Sequence, residues 1–303
     1  MRPQHRATPS AEIQLITRYG TPYSKEPMKS RIRWIVLLSC ALFWSATGLM
    51  AEEIPVRHQE GLIHGFVVLR TPQGETLADG DLSQVARGNQ VTAKLVFHFK
   101  DGSLREETTV YSQRRTFRLL TDHVIQKGPS FKIPMEVSID ARAGQVTVRY
   151  TDDQGKAKVE TEHLELPTDI SNGLLFTLLK NIRPETPRTE VSLLAATPKP
   201  RLVKLAISPL GEEPFSVAGS SRKAMHYVVK VELGGLTGVV APLLKKQPPD
   251  IHVWILEGDA PAFVKSEGPL YEGGPLWRVE LASPVWPATA GADSKPGTGQ
   301  HRP

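Results

Sequence analysis

The residue types that most often do chemistry are sparse and scattered in this chain of 303 residues. Seven of its nine histidines lie in the middle of the chain, His58, His64, His98, His123, His163, His226 and His252, and they never pair as HExxH or HxH, so no zinc-site spacing is written there. Isolated histidines on strands are ordinarily surface or packed residues, and spacing alone does not reveal clusters in space. Ser220-Ser221-Arg222-Lys223 has the Ser-x-x-Lys spacing, but that pair acts only on a helix, and here a strand-like run follows at once; a charged turn is expected. No Gly-x-Ser-x-Gly elbow occurs.

Other candidates fare no better. Gly234-Gly235-Leu236-Thr237-Gly238 lacks the Gly-Lys-Ser/Thr of a phosphate loop and reads as a hinge before an apolar flap, Leu236–Gln247. Asp79 with Asp81, and Asp152 with Asp153, lack the spaced oxygens of a calcium loop and read as turn chemistry. Carboxylate pairs for glycoside hydrolysis meet in space rather than in sequence, so an extracytoplasmic hydrolase stays open as a third alternative. Neither a catalytic residue nor a cofactor or metal ligand is assigned.

Cys40, the only cysteine, lies in an apolar segment. That segment reads as a secretory signal: basic Met28–Arg33, apolar Trp34–Trp44, then small residues up to Ala51. The mature chain would then hold neither disulfide nor thiol, and its place would be periplasmic or secreted. An uncleaved anchor is the alternative, as is lipidation at Leu37-Leu38-Ser39-Cys40, although the apolar run continues past Cys40. Residues 1–27 read as a misassigned or disordered extension, 28–51 as the signal, 52–287 as the folded domain and 288–303 as a disordered tail.

Charge follows the same division. Residues 1–51 carry seven Lys/Arg against two acidic residues, and the tail two against one, so of the net +5 the middle segment holds about −1. A nucleic-acid partner is not expected.

The elements that must position any site are mostly strands. Val91, Ala93, Leu95, Phe97 and Phe99 alternate with polar neighbours, as do Met135–Asp140 and Val146–Tyr150, and Asp-Gly or Gly-centred turns separate them. Ala78-Asp79-Gly80-Asp81 reads as one more turn. About seven strands precede and seven follow a single helix over 169–182, bounded by Thr168 or Asp169 as cap and by Pro184. No strand–helix rhythm appears, so the expected fold is mainly β: an antiparallel meander curling into an incomplete barrel with one central helix.

Phe131–Tyr150, the hairpin at Asp152, Leu166-Pro167-Thr168-Asp169, the helix and Tyr271–Leu281 together resemble uncharacterised bacterial envelope proteins of the domain-of-unknown-function type. Those are similar in outline to periplasmic lipoprotein carriers. The resemblance implies a hydrophobic concavity lined or closed by the helix, and supplies no catalytic residues.

The expected function is non-enzymatic binding of an apolar small molecule, a lipid or acyl chain, in that concavity. Leu174, Leu175, Phe176, Leu178 and Leu179 on the helix are the expected contacts, with Trp254 and Trp277 as walls. Phe176 falls outside the apolar half of the helix; it either touches a neighbouring loop or faces a ligand. The alternative is an envelope protein-interaction module that docks a partner on a sheet edge or on the Leu236–Leu244 flap. Membrane contact would be transient, or made through an uncleaved signal.

Overall fold

A computed structural model describes residues 53–152, 154–217, 220–232 and 248–282. The expected signal, tail and Leu236–Gln247 flap lie outside these.

Fourteen strands form one antiparallel sheet: β1 (Ile63–Arg70), β2 (Thr76–Arg87), β3 (Gln90–Phe99), β4 (Leu104–Gln113), β5 (Phe117–Lys127), β6 (Met135–Asp140), β7 (Gln145–Thr151), β8 (Ala157–His163), β9 (Thr189–Ala195), β10 (Arg201–Val217), β11 (Ser220–Glu232), β12 (Ile251–Leu256), β13 (Ala262–Gly268) and β14 (Trp277–Leu281). Each strand pairs with its sequence neighbours, except that β1 pairs with β14 and β8 and β9 form the two edges. The sheet curls without closing. Alternation makes its inner face largely apolar, as in β7, where Val146 and Val148 are fully buried between exposed Gln145 and Arg149.

Turns are built as their residues dictate. Asp140 accepts from the backbone N–H groups of Arg142 and Ala143 at 3.0 and 2.9 Å, and Asp152 from those of Gln154 and Lys156 at 3.0 and 2.9 Å.

Three expectations about strands and turns change. Ala78–Asp81 lies inside β2 rather than in a turn. A Cβ on Gly80 would sit 2.5 Å from Val67 Cγ2 and 2.8 Å from Phe97 Cε1, so the glycine admits these side chains from the flanking strands. Ser220–Lys223 opens β11 rather than forming a turn, and Phe215–Ala218, expected as a separate strand, is taken up through Val217 into the long β10. Among the described residues eight strands therefore precede the helix and six follow it.

The helix expected over 169–182 is confined to α1 (Leu175–Leu179), five residues. Gly173 interrupts it with φ +64°, a conformation a helix cannot use. The residues before Gly173 pair with β9 instead. Ile170 bridges Ser192 in parallel, and Asp169, expected as a cap, accepts from Ser192 Oγ at 2.8 Å and Lys204 Nζ at 3.0 Å. Asn172 imitates a strand residue: its Nδ2 donates to Leu194 O and its Oδ1 accepts from Leu194 N, both at 2.9 Å. The connector between the two edge strands thus covers the β9 edge.

Two apolar clusters result. The larger joins Leu174, Leu178, Leu179 and Ile182 to inner-face residues of both halves of the sheet, among them Val148 and Tyr227. The smaller contains Phe97, Phe99, Phe131, Trp277 and Val279.

Candidate functional site

On strands β11 and β12, Tyr227, Val229, Val253 and Ile255 point into the core, so by alternation His226, His252 and Trp254 occupy the outer face. His226 pairs across the ladder with Trp254, and the two rings stack with centroids 4.1 Å apart and planes 11° from parallel. His226 Nδ1 lies 2.7 Å from Glu213 Oε1, and its Nε2 lies 2.9 Å from His252 Nδ1. Trp254 Nε1 donates to Glu213 Oε2 at 2.8 Å, and Lys265 Nζ sits 3.9 Å above the Trp254 ring. Five residues from four strands make one connected group.

The electrostatics follow from the contacts. The indole N–H of Trp254, ahead of His226, holds the Glu213 carboxyl below the usual range, so it is ionised and can only accept. Burial pushes His226 down, against the pull of Glu213.

His252 also borders a pocket of about 310 Å³ with Pro72, Pro249, Asp250, Glu267, Leu276, Trp277 and Arg278. Its walls combine apolar surface with charges that are already matched. Arg278 Nε meets Glu267 at 2.9 Å, Arg278 Nη1 lies 3.5 Å from Glu280, Lys265 lies 3.3 Å from Glu267, and Lys230 lies 3.4 Å from Asp250. Burial would raise the Glu267 carboxyl, but Lys265 and Arg278 outweigh it and the pKa falls.

The concave face is organised differently. Residues 53–61 run along it: Asn181 Oδ1 accepts from the backbone N–H groups of Arg57 and His58, each at 2.8 Å, and Gln113 exchanges hydrogen bonds with the Glu60 backbone at 2.7 and 2.9 Å. The Glu60 carboxylate pairs with Lys180 and accepts from Gln84 Nε2 at 3.0 Å. Deeper still, Asp122 accepts from Thr109 Oγ1 at 2.8 Å; burial, then Glu107, pushes its carboxyl far above the usual range.

The expected site residues fall in three places. Leu174, Leu178 and Leu179 are core, at most 4% exposed, while Leu175 and Phe176 are half-buried against it. The Phe176 ring meets Phe263 of β13 at 4.6 Å, a strand partner rather than the expected loop. Beside Leu178, bounded by Ile54, Phe117, Asp169, Ile170 and Val191, the free space is about 10 Å³, enough for one water and not for an acyl chain. Trp254 joins the outer histidines, and Trp277 belongs to the smaller cluster while walling the pocket.

The spacing of the histidines concealed His226 and His252. Their shared outer face is readable from alternation on the two strands; the register that brings them to 2.9 Å is not. Among the described residues no group of three or more His, Cys, Asp and Glu is placed to hold a metal ion, and no helix is long and apolar enough to cross a membrane.

No protein-family model matches the chain, and no curated protein does. Among solved structures, the chain is similar to a beta-barrel-like protein of domain of unknown function DUF1849 from Brucella abortus, at 8% identity and a TM-score of 0.38 over 73% of this chain and 94% of that one.

Proposed function

We propose that this chain is an exported, non-enzymatic binding protein of the cell envelope, and that a small amphipathic molecule occupies the outer-face pocket beside Trp277. The reading rests on the pocket itself. At about 310 Å³ it lies at the lower end of small-molecule sites, and it sets Pro72, Pro249, Leu276 and Trp277 against Asp250, His252, Glu267 and Arg278. Such walls desolvate an apolar body and orient a polar end. Export is supported by the basic, apolar and small-residue order of Met28–Ala51.

One experiment addresses both parts: native mass spectrometry of the chain recovered from the envelope fraction of its producing cells. The expected species begins at Glu52 and carries a small-molecule adduct. Leu276 is 47% exposed on the pocket wall, so Leu276→Arg should remove the adduct and change stability by less than about 0.5 kcal/mol. An unprocessed chain without adduct would sink the reading.

A further inference from the structure

The outer-face group has a fixed hydrogen-bond direction. Glu213 is ionised and accepts at both oxygens, from Trp254 Nε1 at 2.8 Å and from His226 Nδ1 at 2.7 Å. A neutral His226 must therefore carry its proton on Nδ1, which leaves its Nε2 as an acceptor. The only proton that can lie between the two rings is then on His252 Nδ1, 2.9 Å away. Neutral His252 is thereby held with Nε2 bare, the reverse of the tautomer that free histidine prefers in water. Nε2 has no hydrogen-bond partner among the described residues, and His252 forms part of the pocket wall.

This changes the character of the pocket. Of its four polar side chains, Asp250, Glu267 and His252 then present acceptors, and Arg278 already directs Nε at Glu267 and Nη1 at Glu280. An anion would meet two carboxylates and a lone pair. An ammonium group would meet the open lone pair of His252 beside two carboxylates that already face Lys265, Arg278 and Lys230, with Leu276, Trp277 and the two prolines for an apolar tail.

We infer that the pocket takes an organic ammonium ion bearing a short apolar group, received by His252 Nε2, with Glu213 and His226 as positioning residues that hold the tautomer. The inference rests on the pocket-binding reading above. The charged and titratable groups around His252 are His226 and Glu213 on the β10 and β11 side, Glu267, Lys265 and Arg278 on the β13 and β14 side, and Asp250 with Lys230 at the strand's start.

The tautomer is read directly by long-range nitrogen–proton NMR of the intact chain under mildly basic conditions. His252 should show the Nδ1–H form, and Glu213→Gln or His226→Phe should return it to the Nε2–H form. An Nε2–H signal in the unaltered chain overturns the inference, whatever binds.

Hexylammonium, hexanol and hexanoate are then titrated while the pocket resonances are followed. Hexylammonium should bind tightest, by about tenfold or more over hexanol, and lose that margin in His252→Phe. If hexanol or hexanoate binds as well as hexylammonium, the ammonium assignment fails and the pocket reading stands. If none of the three perturbs the pocket, both fail.

Discussion

Asp122 shows what burial does to a single carboxyl. It is 2% exposed on the inner face, hydrogen-bonded to Thr109 and near Glu107, and its carboxyl is held far above the ordinary range by burial and then by that neighbour. The folded state therefore keeps a proton that the unfolded chain gives up. That contribution is complete below the unfolded-chain value and is lost as pH rises towards the folded-state value. Over that window the cost is about 1.4 kcal/mol per pH unit for one proton. Asp122→Asn keeps the acceptor for Thr109 and removes the titration. Urea unfolding should show the variant gaining on the parent chain steadily from about pH 5 to about pH 8. Parallel pH profiles would remove Asp122 as the cause. None of this was legible in the sequence, where Asp122 is one acid among many on a strand and its inward direction depends on the bulge between Val110 and Tyr111.

At the scale of elements, the connector between β8 and β9 shows what a helical pattern does and does not specify. Ile170, Leu174, Leu178, Leu179 and Ile182 are all buried, as an amphipathic period requires, yet only Leu175–Leu179 is helical. The apolar spacing identified which side chains go inside. It did not identify the backbone, because Asp169, Ser171 and Asn172 find partners on β9 that no local rule anticipates. Gly173 makes this possible. A Cβ there would lie 1.9 Å from Thr109 Oγ1, and φ is +64°. Gly173→Ala combines a positive-φ cost of about 1–2 kcal/mol with overpacking of about 1–3 kcal/mol. A loss of roughly 2–5 kcal/mol in urea unfolding is expected, and a near-neutral substitution would show that the turn can move off Thr109. Strands were read more reliably than this connector. Alternation marked β3, β6 and β7 directly, whereas Gly80 disguised β2 because a strand glycine, placed to admit Val67 and Phe97, looks locally like a turn.

For the molecule as a whole, the pairing of β1 with β14 carries a consequence for assembly in time. Every other ladder joins strands adjacent in the chain, so two arms, β1 to β8 and β9 to β14, can each zip up as their residues appear. The seam from Val67 opposite Leu281 to Arg70 opposite Arg278 spans more than two hundred residues of chain, and it waits for the last strand whether the chain emerges from a ribosome or threads through a translocation channel. Until then β1 and β13 are open edges in mid-sheet, flanked by finished ladders on their other sides. Pulse-labelled hydrogen exchange during refolding should find the β1–β14 amides protected after those of β3–β4; simultaneous protection would mean that the two arms do not form independently. A partner that holds such a chain during its passage would act on this unjoined middle, and its work would end when the last strand arrived.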